Sequence, residues 1–132
     1  MKASKARSLA ALDRRLGELK EQIASVGFLL PGSVVRRFMP CGKPGCRCGA
    51  DPPRLHGPYW QWSTKVGGKT VTRRLPEHAA AVYAELVDNR RRLEAIVAEM
   101  RRVSERAAKI LLEEAAAAAG QAVNRSLSSV GH

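Results

Sequence analysis

Aromatic side chains are scarce in this 132-residue chain, which has two Phe, two Tyr and two Trp. Much of the remaining apolar fraction is alanine, so a large interior is excluded and helices meeting through narrow seams are expected. No apolar run reaches the length of a bilayer span. The basic start, MKASKARSLAALDRRLGELK, lacks the apolar middle region of a secretory signal. No membrane partner is therefore expected, and the cytoplasm, where thiols stay reduced, is the expected compartment. Acid is almost missing from the centre of the chain. Residues 33–75 hold nine Lys and Arg against Asp51 alone, a net of +8, whereas residues 1–32 net +3 and residues 76–132 balance to zero. Most of the total of +11 thus sits on one short module, the electrostatic footprint of a surface that meets a polyanion.

Two stretches carry the spacing of amphipathic helices. Leu9, Leu12, Leu16, Leu19, Ile23 and Val26 recur at alternating three and four residues, predicting a heptad helix over 1–30. Val82, Leu86, Asn89, Leu93, Ile96, Met100, Val103, Ala107 and Ile110 continue the pattern over 76–120. Pro76 and Glu77 suit its first turn and Gly120 its end. The second helix is too long for the first to cover, so a second copy of the chain is expected along Asn89, Leu93, Ile96, Met100 and Val103. Asn89, one amide in an apolar seam, is a device that fixes register and partner number. A dimer is the simplest homo-oligomer of this kind. Residues 121–132 show little periodicity and read as a flexible tail.

Between the helices, residues 31–75 read as strands. SVVRRFM is short and β-branched, and PYWQWSTKV and KTVTRRL flank Gly67-Gly68, a two-residue hairpin turn. Pairing about that turn puts Trp60, Trp62, Thr64 and Val66 opposite Leu75, Arg73, Val71 and Lys69. Tyr59, Gln61, Ser63, Lys65, Thr70, Thr72 and Arg74 fall on the other face. The tryptophan face is expected to pack on the helices. The fold class is therefore α+β, a long coiled-coil-like helical hairpin enclosing a small three-stranded antiparallel module.

All three cysteines lie in CGKPGCRCGADPPRLH, with His56 eight residues past the last. So small a sheet cannot hold a long connection by burial alone, and such modules are commonly stapled by a metal. Cys41, Cys46, Cys48 and His56 supply the four N and S donors that tetrahedral Zn2+ takes, with His78 a rival fourth ligand. Other readings stay open: three buried thiols, a Cys41–Cys46 disulfide, or a nucleophilic cysteine with His56 as its base. The last would need an orienting group and an oxyanion site, and the single acid of the module offers neither, so no enzyme is expected.

PGS, CGKPGCRC, HGPYWQW and GKTVTRRL, followed by a long charged helix, resemble a family of short uncharacterised bacterial proteins often found beside transposases and integrases. The resemblance covers Gly32 to Leu93 and departs at Leu75, where a Ser or Thr cap is common. It implies ligand roles for Cys41, Cys46, Cys48 and His56, and a mobile-element or recombination setting. The expected function is a non-enzymatic, zinc-containing DNA-binding accessory protein, with RNA as another polyanion of the same kind. Arg36, Arg37, Lys43, Arg47, Lys65, Lys69, Arg73 and Arg74 are expected to meet phosphates, and Thr70 and Thr72 base edges. The rival is a coiled-coil adaptor that recruits a recombinase or self-associates and binds no nucleic acid.

Overall fold

The computed structural model describes residues 2–130, with side chains for 3–126. Its elements run α1 (Lys2–Ala24), β1 (Ser33–Met39), a 3-10 turn (Arg47–Gly49), β2 (His56–Val66), β3 (Lys69–Leu75) and α2 (Glu77–Val130). Residues 26–93 form one compact unit, and residues 2–25 with 94–130 form another. Among the described residues no helix is long and apolar enough to cross a membrane.

In the helical unit the two apolar stripes meet. Leu9, Leu12 and Leu16 of α1 and Val103, Ala107 and Leu111 of α2 line a shared groove of about 580 Å³. Leu19, 1% exposed, is its best-buried side chain. Two ion pairs cross between the antiparallel helices, Lys5 to Glu113 at 2.6 Å and Arg15 to Glu99 at 3.0 Å. Arg15 also pairs with Glu18, and together these carboxylates raise its pKa, while Arg15 holds the Glu99 carboxyl below its usual value.

Three expectations about the helices change. The first helix stops at Ala24, short of Val26, where the Ser25 hydroxyl donates to Gln22 O and competes for a helical carbonyl. The second runs through Gly120 to Val130, because a single glycine after five alanines costs about 1 kcal/mol and no proline follows to stop the chain. The segment 121–130 is therefore helical, and the last two positions of the expected tail lie outside the described residues. Ile96 and Val103, expected to face a second copy, are buried within the chain.

The sheet has the order β1-β2-β3, antiparallel throughout. Its β2–β3 register is the one the glycine turn predicts, with Trp60 opposite Leu75, Trp62 opposite Arg73 and Thr64 opposite Val71. Gly67 and Gly68 both take positive φ, 58° and 80°, as that turn demands. Trp62 packs as the tryptophan face should. Its ring stacks on Tyr83 of α2 with centroids 5.4 Å apart, and its indole N–H donates to Pro31 O. Leu75, Ala80 and Val87, with Cys48 of the β1–β2 connection, are the buried apolar residues of this unit.

The link from α1 to β1 is strapped to α2. Leu30 N donates to Leu86 O, Asn89 Nδ2 to Phe28 O at 2.7 Å, and Arg90 Nη2 to Gly32 O at 2.8 Å. Asn89 thus serves the chain's own fold by fixing where β1 begins.

Candidate metal centre

The connection from β1 to β2 spans residues 40–55, and Cys48 is its one buried side chain. Its backbone curls through tight turns: Cys46 N donates to Lys43 O, Gly49 N to Cys46 O, and both Ala50 N and Arg54 N to Arg47 O. These turns carry Cys46 and Cys48 back over Cys41. His56, the first residue of β2, arrives from the other side through an irregularity in the β1–β2 ladder. Arg37 pairs with Tyr59, so regular register would set Met39 opposite Gly57, yet Met39 faces His56. The extra residue on β2 is what turns the imidazole towards the thiols. Gly57, at φ 131°, makes the irregularity feasible, since a Cβ there would lie 2.7 Å from Arg37 O.

The four ligand atoms of Cys41, Cys46, Cys48 and His56 all lie within 4.8 Å of one another. Cys41 and Cys48 Sγ are 3.5 Å apart, and Cys46 Sγ is 3.1 Å from His56 Nε2. Thiolates bound at 2.3 Å to one tetrahedral zinc ion sit about 3.8 Å apart, so the cluster has the dimensions of such a site. All three cysteines are free thiols, so the disulfide reading finds no pair here. His78 is exposed on the first turn of α2 and stands outside the cluster, which leaves His56 as the fourth donor.

The electrostatics prepare one thiol for a cation. The Cys41 backbone N–H donates to Cys48 Sγ at 3.3 Å, and this bond, with the neighbouring thiol and imidazole donors, lowers the Cys48 pKa to about 6 against desolvation. The Lys43 backbone N–H pulls Cys41 down, but the Cys48 and Cys46 thiols and desolvation outweigh it and leave Cys41 raised. A lowered Cys48 beside a raised Cys41 is the pattern expected where crowded thiols share a space that a metal ion would neutralise.

The residues expected to meet phosphates do not share one face. Arg37, Lys65, Thr70, Thr72 and Arg74 fall on the polar side of the sheet, and Arg36, Lys69 and Arg73 on the tryptophan side. Lys43 and Arg47 are exposed on the loop that carries the cysteines. Thr72 is engaged within the sheet, its hydroxyl 3.1 Å from that of Ser63. Two interactions had no sequence signal: the Arg74 guanidinium lies 3.9 Å from the Tyr59 ring centroid, and Arg36 lies 5.8 Å from that of Phe38. Leu93 and Met100 are half-buried on α2, flanking the buried Ile96.

No curated protein and no solved structure matches the chain. A family model does, over residues 9–84, a span that takes in most of α1, the whole sheet, all four clustered donors and the first turns of α2. The chain belongs to that family, DUF6788, a domain of unknown function.

Proposed function

We propose that the chain is a zinc-containing, non-enzymatic DNA-binding accessory protein of the cytoplasm, working beside a transposase or integrase. The observation that carries the reading is the convergence of three thiols and one imidazole in a loop whose other contacts would not hold it. Three soft sulfur donors with one imidazole suit zinc, which needs no further ligand in a structural site. The ion's role is to staple residues 40–55, so that Lys43 and Arg47 are held beside a basic sheet. The Cys46–His56 pair alone would also suit a nucleophile and its base, but both atoms point into the same four-donor cluster. The one acid of the module, Asp51, is exposed and outside that cluster.

The excess of positive charge, exposed on a polar sheet face and the metal loop, supports a phosphate-rich partner. Arg37, Lys65 and Arg74 hold the backbone, with Thr70 nearest to free base-edge contact. The mobile-element setting rests on the sequence resemblance. A second copy would pair along the part of α2 beyond Glu113, where Val123 is 58% exposed.

The test is binding of a generic DNA duplex to zinc-loaded protein, with Arg37→Glu/Arg74→Glu beside the parent. The paired change should abolish binding and leave the oligomeric state unaltered. No binding by the parent at low salt favours the adaptor reading, and loss of self-association instead would make this face a protein interface. Tighter binding of an RNA duplex would move the assignment to RNA.

A further inference from the structure

Beyond the end of β3 the sheet leaves a notch. Leu75 is paired with Trp60, and the chain then turns into α2, so His56 to Tyr59 of β2 run on with β1 on one side and no strand on the other. The notch has a volume of about 740 Å³ and is lined by Arg36, Pro58, Tyr59, Trp60, Arg74 and Glu77, among others. This is an unusual concentration for a chain with six aromatic residues. Phe38, 54% exposed, is outside the lining, and its ring centroid is 5.8 Å from the guanidinium of Arg36, which does line the notch.

The two tryptophans differ in what they do. Trp62 is committed to the fold through Tyr83 and Pro31. Trp60 is half-buried, lines the notch, and donates no hydrogen bond among the described residues. Arginines alternating with aromatic faces in a concave site are the features that hold unpaired bases: the rings stack on the base and the guanidinium groups take the flanking phosphates. Duplex DNA offers no free base face, so an aromatic face open to the notch suits an unpaired base rather than a duplex.

We infer that the notch docks an unpaired base of single-stranded DNA, stacked on Trp60, with its flanking phosphates on Arg36 and, across the sheet edge, on the Arg74 guanidinium that caps Tyr59. The inference rests on the nucleic-acid reading above and names the form of the substrate. Glu77, the one acid of the lining, repels phosphate and so directs the backbone towards the two arginines. Arg74 belongs both to the notch and to the polar face, so a strand along that face turns at Arg74 into the hollow.

The experiment is a titration of the full-length, zinc-loaded protein with a labelled twelve-residue deoxycytidine oligomer, an abasic oligomer of equal charge, the matching RNA oligomer and a duplex. The cytidine oligomer should bind about ten-fold more tightly than the abasic one, the gain expected from stacking. Trp60→Ala should remove that gain, and Trp60→Phe, which keeps a ring, should restore most of it. Circular dichroism and zinc content should match the parent for Trp60→Phe. In a Trp62→Phe chain the remaining Trp60 fluorescence should be quenched by the cytidine oligomer. Equal binding of cytidine and abasic oligomers, with the duplex bound as well, overturns the inference and leaves the DNA reading standing. Failure of every strand and duplex overturns the DNA reading itself. An RNA oligomer bound ten-fold more tightly than the DNA one overturns the assignment to DNA.

Discussion

Raising salt should weaken duplex binding by an amount that the sheet's two faces set. A duplex can lie on one face of a three-stranded sheet at a time. Of the cations expected to meet phosphates, the polar face offers Arg37, Lys65 and Arg74 and the metal loop adds Lys43 and Arg47, which makes five. Each neutralised phosphate contributes about −0.9 to the slope of log affinity against log salt, so five predict a slope of about −4.5. Between 50 and 200 mM salt the affinity should then fall about 500-fold. If both faces were engaged, Arg36, Lys69 and Arg73 would join, the slope would steepen to about −7, and the loss would be about 20,000-fold. Fluorescence anisotropy with a labelled duplex at four salt concentrations measures the slope directly. A value near −7 would refute the single-face geometry, and one shallower than about −2 would refute the claim that this charge is a contact surface.

Gly57→Ala should detach the metal site from a sheet that still forms. Its Cβ would meet Arg37 O at 2.7 Å from a backbone at φ 131°, so the irregularity that aims His56 must relax. Zinc affinity should fall at least ten-fold by competition with a chromogenic chelator, while the β2–β3 hairpin keeps its circular dichroism. The helical unit should lose stability in acid. The Glu99 carboxyl is held below its usual value by Arg15, so its contribution is present above the unfolded pKa and is lost as pH falls through the folded one. Thermal melts from pH 7 to pH 3 should show that fall in the parent and a smaller one in Glu99→Gln; equal falls would mean that the pair contributes nothing.

The sheet was legible to the residue at β1 and β3, because alternation and a Gly-Gly turn leave one register that sets Trp62 against α2, although Val66 and Val71 on the same face stay exposed. The metal ligands were legible for a different reason: four soft donors lie within sixteen residues of chain rich in glycine and proline. What selected His56 over His78 was the β1–β2 irregularity, which depends on how two strands meet and leaves no period to read. Helix ends were less legible. Val26 keeps heptad spacing after the helix has stopped, and Gly120 looks like a terminator although its neighbours favour continuing. Asn89 shows the same limit, since its spacing matches a seam residue while its amide is used by the Phe28 carbonyl, a contact set by where the link folds back. Arg90, one of three consecutive arginines, likewise resembles a solvated residue and in fact holds Gly32.

Metal content measured on protein purified from zinc-supplemented cells tests the account most directly. One zinc per chain is predicted, with cobalt substitution giving the intense absorption of a tetrahedral three-sulfur site, and with loss of both the ion and the order of residues 40–55 in Cys48→Ala. A metal-free chain whose loop stays protected from proteolysis and whose sheet melts cooperatively would contradict it.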